Sequence, residues 1–354
     1  MWFFRFTFTV LLLVAFSNVT SSAQDRTDVV VMKNGDRITC EIKGLEAGVL
    51  YVSLDYVDGT IAVQWSKVAR LESNRSFIVK TESGSVYTGK VSAAATTGDQ
   101  PVKIQIAQAT DKEVEVETTK VVSMDTTSKR FWNNLNGDIS AGLIYSKGNQ
   151  STQYDLNAAL EYPSGRWSVQ GDFHSTLSTS SESSATERNQ INLKVKRLLP
   201  MRNFYFTGSA SFLQSSEQGI SLQTSFGGGL GHYFKNTNRT RISLVGGIAW
   251  QRTNYDGTSS TLATQDTTAA VIATEIRASR FKRTSFNLDA TLLPSLSDPG
   301  RVYFKVNQSF DIKLYRNLTW NISVYGNWDN RPPGGLSGTD FGTSTGLGWK
   351  FGNR

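Results

Sequence analysis

The chain has 354 residues, a net charge of +7, 19% charged and 38% hydrophobic residues, yet 11% aromatics and 30 glycines. Average soluble domains carry about 25% charged residues, and disordered chains lack so many aromatics. One cysteine, Cys40, and two histidines exclude an intramolecular disulfide framework and a Cys/His zinc constellation, so no cofactor or metal is expected.

Residues 1–23 read as a secretory signal peptide. Arg5 is the lone charge, Phe6 to Phe16 is almost wholly apolar, and Ser21-Ser22-Ala23 supplies small residues at a cleavage site. Beyond it no apolar run reaches the 18 residues of a membrane-spanning helix. An exported chain with so little cysteine fits a bacterial envelope better than a disulfide scaffold.

From Asp28 to Met124 short strands alternate with turn signals. Val29 to Met32, Asn34-Gly35 and Arg37 to Ile42 spell a β-hairpin. The pattern returns 49 residues later, where Gly84, Thr88 and Val91 match Gly35, Thr39 and Ile42. The expectation is two small SH3-like or Sm-like β modules, at residues 24–74 and 75–130, the second with a linker. This region holds 14 Lys+Arg against 15 Asp+Glu, so no basic nucleic-acid footprint is present. Cys40 falls where the second copy has Gly89 and reads as a small packed strand residue.

Residues 131–354 break into about 12 segments of 12 to 16 residues, each long enough to cross a bilayer as a tilted strand. Tyr154, Leu156, Ala158 and Leu160 alternate with polar neighbours, as do Val302, Phe304, Val306, Phe310 and Ile312. Alternation alone fits a sandwich as well as a barrel. Connection length separates them. Tight turns at Pro163–Gly165, Pro200–Asn203, Asn236–Asn238 and Arg316-Asn317 alternate with long polar loops at Ser180–Ser184, Asn254–Asp266 and Asn330–Thr339. Short periplasmic turns and longer outer loops give that rhythm. Aromatics gather beside the tight turns, predicting an interfacial girdle that includes Trp167, Phe204, Tyr233, Phe281, Tyr315, Trp320, Trp349 and Phe351. The fold class is therefore all-β: a transmembrane antiparallel β-barrel of about 12 strands after two small β modules.

Charge sorts along the same axis. This region holds 22 Lys+Arg and 15 Asp+Glu, and basic residues (Arg166, Arg202, Arg239, Lys282, Arg316) sit at the tight turns. They face either anionic headgroups or plain solvent. Polar positions between the lipid-facing ones put Glu275, Arg277, Asp289, Lys305, Asp311 and Lys313 in a lumen. Two readings stand: a charged constriction selecting small ionic solutes, or an ion-pair network that fills the barrel.

Tyr145-Ser146-Lys147-Gly148-Asn149, the strand Gly227 to Phe234, Trp328-Asp329-Asn330-Arg331-Pro332-Pro333 and the closing Gly346-Leu347-Gly348-Trp349-Lys350-Phe351 resemble the bacterial outer-membrane barrel family called domain of unknown function 481, the salt-induced outer membrane proteins. The resemblance spans Phe131 to Phe351, implies an outer-membrane barrel, and brings no catalytic residues. The reading is a non-catalytic outer-membrane protein with an envelope-structural or small-solute passage role. It touches outer-membrane lipid and no nucleic acid, and its modules lie in the periplasm. The alternative has those modules bind an envelope protein or peptide while the barrel anchors them. A hydrolase needs a nucleophile and an oriented base, and neither His174 nor His232 shows partners in the sequence.

Overall fold

The computed structural model describes residues 28–93, 103–108, 113–127, 134–146, 151–180, 185–200, 202–256, 264–280, 284–315, 317–332 and 338–351. The expected signal peptide lies outside these residues, as does Phe281.

Nine strands build the N-terminal domain: β1 (Asp28–Met32), β2 (Arg37–Glu46), β3 (Val49–Ser53), β4 (Thr60–Gln64), β5 (Val68–Thr81), β6 (Val86–Ala93), β7 (Lys103–Gln108), β8 (Glu113–Glu117) and β9 (Val121–Thr126). They form one sheet in the order β4-β3-β2-β1-β5-β6-β7-β8, with β9 pairing both β2 and β5. The repeat shows in the pairing. β1 pairs β2 and the first half of β5, and the second half of β5 pairs β6 and β9. β5 therefore runs through both copies, and residues 74 and 75 fall inside it. A 3-10 turn precedes the last strand of each copy, and Trp65 Nε1 in the first donates to Thr118 O in the second at 2.7 Å. One apolar cluster, including Leu45, Leu50, Phe77, Ile106 and Met124, serves both copies.

A buried charge pins the first strand. Asp28 is 1% exposed; it accepts from Ile42 N at 2.8 Å and from Ser73 Oγ, and pairs with Arg75. Arg75 also reaches Glu41 at 3.0 Å. Four groups from β1, β2 and β5 thus satisfy one another where water is excluded.

The barrel follows: β10 (Asn136–Ser146), β11 (Ser151–Ser164), β12 (Trp167–Thr179), β13 (Thr186–Leu198), β14 (Phe204–Ser215), β15 (Ile220–Asn236), β16 (Thr240–Tyr255), β17 (Thr264–Arg280), β18 (Thr284–Pro294), β19 (Val302–Tyr315), β20 (Leu318–Asp329) and β21 (Thr339–Phe351). The twelve strands close in sequence order, with β10 pairing β21 from Gly137↔Phe351 to Ala141↔Leu347. Gly346 permits that seam, because a Cβ there would stand 2.5 Å from Ala141 O. Connections at one end are short (165–166, 199–203, 237–239, 281–283, 316–317), while the other end carries the long ones, up to 330–338. Both termini of the barrel lie at the tight-turn end.

Outward positions are apolar and exposed: Leu143, Val169, Leu193, Phe226, Leu230, Ile248, Ile272 and Leu347 among them. That is the reverse of a soluble sandwich and the requirement of a wall facing lipid tails. The aromatics mark its height. Trp320 and Trp328 on β20, and Phe341 and Trp349 on β21, are exposed and each pair is eight residues apart. Eight residues span about 27 Å of strand, or about 20 Å along the axis at a tilt of about 40°. The order of magnitude matches the ~25 Å apolar band of such barrels. A second girdle, at the long loops, therefore joins the expected one.

Replacing Asp28 with Ala leaves the half-buried Arg75 with Glu41 as its remaining carboxylate and Ile42 N without its acceptor, at a cost of about 1–3 kcal/mol. Hydrogen exchange on the full chain should show β1 and β2 opening faster while the barrel strands keep their protection.

Candidate functional site: the barrel interior

Alternation dictates the interior. Each strand that shows apolar side chains to lipid turns its intervening residues inward, and here these are polar or charged: Asp172, His174, Lys194, Lys196, Ser243, Glu275, Arg277, Asp289, Lys305. Such groups are costly away from water unless they meet partners.

Most of the predicted lumen charges do so. Lys194 and Lys196 on β13 reach Glu275 on β17, Lys194 at 2.7 Å, so the contact crosses three intervening strands. Arg277 donates twice to Asp289, at 2.9 and 2.7 Å, and Lys194 lies 3.8 Å from the same carboxylate. Glu275 and Asp289 are direct cross-strand partners, as their predicted common depth requires. Beneath this network Tyr205, with no exposed surface, donates to Ser243 Oγ at 2.9 Å and packs 4.7 Å from Tyr233. Lys305 stands apart: its amine lies opposite Thr291, two residues towards the long loops, and donates to Gln223 Oε1 at 3.4 Å. Asp311 forms another cluster, accepting from Ser285 at 3.0 Å and Asn321 at 2.6 Å with Lys350 at 3.6 Å. Lys313 lines the cavity nearer the tight turns.

The long-loop end is closed by two buried pairs. Arg188 on β13 pairs with Asp340 on β21, at 5% and 1% exposure, with the guanidinium 4.7 Å over the Tyr325 ring. Arg301 pairs with Asp329 at 2.6 Å and lies 4.7 Å over Tyr303. The motif around Trp328 explains its residues here. Asn330 donates to Gly300 O at 2.9 Å and accepts from Val302 N at 2.8 Å, and Arg331 donates to Pro299 O at 3.0 Å. This loop staples β18–β19 to β20–β21. Gly300, at φ 87°, makes room for the Arg331 guanidinium.

The N-terminal domain covers the tight-turn end. Asn203 Nδ2 donates to Glu82 O at 2.8 Å, and Asn236 Nδ2 to Thr81 O at 3.4 Å. Gly84 has φ 81°, and a Cβ there would meet Asn203 N at 2.7 Å. The Arg239 side chain lies within 3.2 Å of where a Cβ on Gly48 would sit. A cavity of about 880 Å³, lined by the domain and by the barrel interior, is within the range of small-ligand pockets.

Seven of the eight expected girdle residues lie among the described residues, Phe281 being outside them. Trp167, Tyr315, Trp320 and Trp349 are exposed at the tight-turn end, and Phe204 packs on His232 with ring centroids at 4.5 Å. Phe351 sits at the seam over Gly137. Tyr233 is not a girdle residue: it lines the interior beside Tyr205. Period-two alternation from the outward Phe226, Leu230 and Phe234 already puts it inside. Nearness to a turn was the weaker guide.

One grouping escaped the sequence. His174 Nδ1 faces Asn157 Oδ1, and Thr176 Oγ1 lies 3.1 Å from His174 Nε2 and 2.9 Å from Asp155 Oδ1. Hydroxyl, imidazole and amide are thus in line, assembled from an i, i+2 pair on β12 and its neighbour β11, where Asn157 lies opposite His174. The arrangement orients a base towards a hydroxyl. It lies on a wall whose backbone N–H groups are engaged in strand ladders, which removes the usual source of oxyanion donors.

Cys40 is fully buried in the core of the N-terminal domain. Burial first, and then the nearby Asp28 charge, push its thiol up to about 12. Near neutral pH it carries no thiolate to react.

A family model described as "Protein of unknown function, DUF481" matches residues 139–351, the barrel from β10 to its closing strand. No curated protein matches the chain. Among solved structures, the translocator domain of autotransporter NalP from Neisseria meningitidis is similar at 11% identity, covering 61% of this chain and 87% of that one, with a TM-score of 0.33. CdiB from Escherichia coli is similar at 15% identity over 70% of this chain and 46% of its own, also with a TM-score of 0.33. A porin is similar at 8% identity over 61% of this chain and 99% of its own, with a TM-score of 0.28.

Two outcomes follow. Maleimide at pH 8 should leave Cys40 unlabelled in the folded chain and label it after denaturation. Glu275→Ala orphans Lys196 and should lower barrel stability by about 3–5 kcal/mol, read by urea unfolding in detergent, whereas Asp266→Asn at the exposed rim should leave the midpoint in place.

Proposed function

We propose that this chain, which belongs to the DUF481 family, is a non-catalytic bacterial outer-membrane protein whose barrel keeps its own interior closed at rest. One observation carries the reading: Lys194 and Lys196 on β13 cross the interior to Glu275 on β17, four strands away, and Lys194 also lies 3.8 Å from Asp289, which Arg277 holds on the neighbouring strand. Twelve strands fall between filled and open barrels, so side chains decide the outcome, and here they bridge the space. The role is envelope-structural. Passage of a small ionic solute requires this network and the Arg188–Asp340 pair to part together.

Tight turns belong on the periplasmic side of such barrels, which puts the N-terminal domain in the periplasm beneath the mouth. An exported chain without a spanning helix fits that address. The partner-binding alternative has as its surface the domain's unpaired edge strands, β4 and β8. The Thr176–His174–Asn157 line is read as structural, since its hydroxyl is shared with Asp155 and the backbone around it is paired in strand ladders.

Planar-bilayer recording on the full-length protein tests the reading. A closed interior shows no steady open level; a persistent ohmic conductance from the wild-type chain overturns it.

A further inference from the structure

The two ends of the barrel treat their cations differently. At the long-loop end Arg188, Arg252, Arg301 and Arg331 each pair with an aspartate: Asp340, Asp266, Asp329 and Asp298. At the tight-turn mouth, among the described residues, Arg239, Arg241 and Arg280 line the cavity with no carboxylate within ion-pair distance. Arg239 and Arg241 flank the start of β16, and Ser279 N donates to Arg239 O at 2.8 Å, which draws the end of β17, with Arg280, alongside. Arg241 stands directly opposite Arg277, a like-charge cross-strand pair, and such pairs are destabilising on their own. Arg277 is neutralised by Asp289; Arg241 is not. Beyond Glu275 and Asp289, the cavity's carboxylates are Glu46 on β2 and Asp138, Glu161, Asp172 and Asp311 on β10, β11, β12 and β19, none of them within ion-pair distance of Arg239 or Arg241.

Of the basic residues that sequence patterning put at the tight-turn rim, Arg239 lines the cavity, and Arg241, two residues on, joins it; Arg280 is exposed and shares the outward phase of Ile272. Arg239 also stands against the domain at Gly48. Guanidinium groups present forked donors matched to phosphate and carboxylate oxygens, and an inward guanidinium without a carboxylate of its own, between low-dielectric walls, attracts an anion.

We propose that the mouth between the N-terminal domain and the barrel, built on Arg239 and Arg241, binds a small soluble polyanion bearing phosphate or carboxylate groups. The ligand supplies the negative charge that the long-loop end obtains from its own aspartates. The barrel wall separates the site from lipid, so the anion is a free one. The site uses the domain-capped mouth of the proposed closed barrel but not its conductance, so a conducting wild type would leave this binding unaffected.

The test is calorimetric titration of the full chain, folded in zwitterionic detergent at low salt, with inorganic pyrophosphate. Binding should weaken at least tenfold in Arg239→Gln and in Arg241→Gln. It should hold in Arg197→Gln, whose guanidinium sits 5.2 Å over the Trp167 ring on the outer face of the same rim. Heat-modifiable gel migration confirms that each variant is folded. The proposal is overturned if the wild type does not bind, if the two inner variants bind as well as wild type, or if Arg197→Gln loses as much. Repeating the titration with phosphatidylglycerol present distinguishes the source: retained binding supports a soluble ligand, and displacement by the lipid overturns it.

Discussion

Backbone hydrogen bonding in hydrocarbon is the constraint on which everything else rests. Away from water each unpaired N–H or C=O costs several kcal/mol, so a wall of strands must have no edge. The pairing of β10 with β21 supplies that closure. Closure fixes the period-two alternation all the way round, and alternation assigns every second residue to lipid and the rest to the interior. A polar composition with abundant aromatics follows directly: half of each strand suffices to face lipid, and the rings collect where the apolar band meets water.

Closure also creates the problem of the interior. Asp289, Glu275, Lys194 and Arg277 are forced inward by the same alternation that puts Leu193 and Ile272 outside. Their mutual pairing answers it, and because Lys194 and Glu275 belong to distant strands the answer bridges the space. A buried pair of this kind is weak support for net stability, since an apolar pair of equal volume often does as well. Its consequence is shape: side chains from β13 and β17 meet across the interior beside the cavity. The N-terminal domain extends the same logic to the mouth, where Asn203 and Asn236 meet backbone carbonyls of the Thr81–Gly84 turn.

The fold was largely legible in the residues. Tight turns alternating with long loops, strand-length segments and the aromatics beside the turns sufficed for a closed barrel with both ends on one side. The Gly35/Gly84 repeat announced the duplicated N-terminal sheet, though not that one strand, β5, would serve both copies. The site was legible one residue at a time. Counting from the turns put Glu275, Arg277, Asp289 and Lys305 at one depth, and Lys305 stands two residues off, opposite Thr291; the crossing from Lys196 to Glu275 depends on curvature that counting along strands does not contain. Asn157, His174 and Thr176 show the same limit, since their alignment depends on the register of β11 against β12.

What the sequence determined by itself is local and periodic: strands of membrane-crossing length, which face each residue takes, where the chain turns, and how charge is shared between the two ends. These follow from a two-residue repeat and from turn chemistry, both set by near neighbours. What the tertiary structure decided is which inward groups meet across the barrel and what covers its mouth. Those contacts join residues dozens to over a hundred positions apart, such as Arg188 with Asp340 and Asn203 with Glu82. The +7 charge illustrates the division. Composition assigned it to the barrel and patterning weighted it towards the tight turns, but only the closed, capped structure left Arg241 facing inward, beside Arg277 and without a carboxylate of its own.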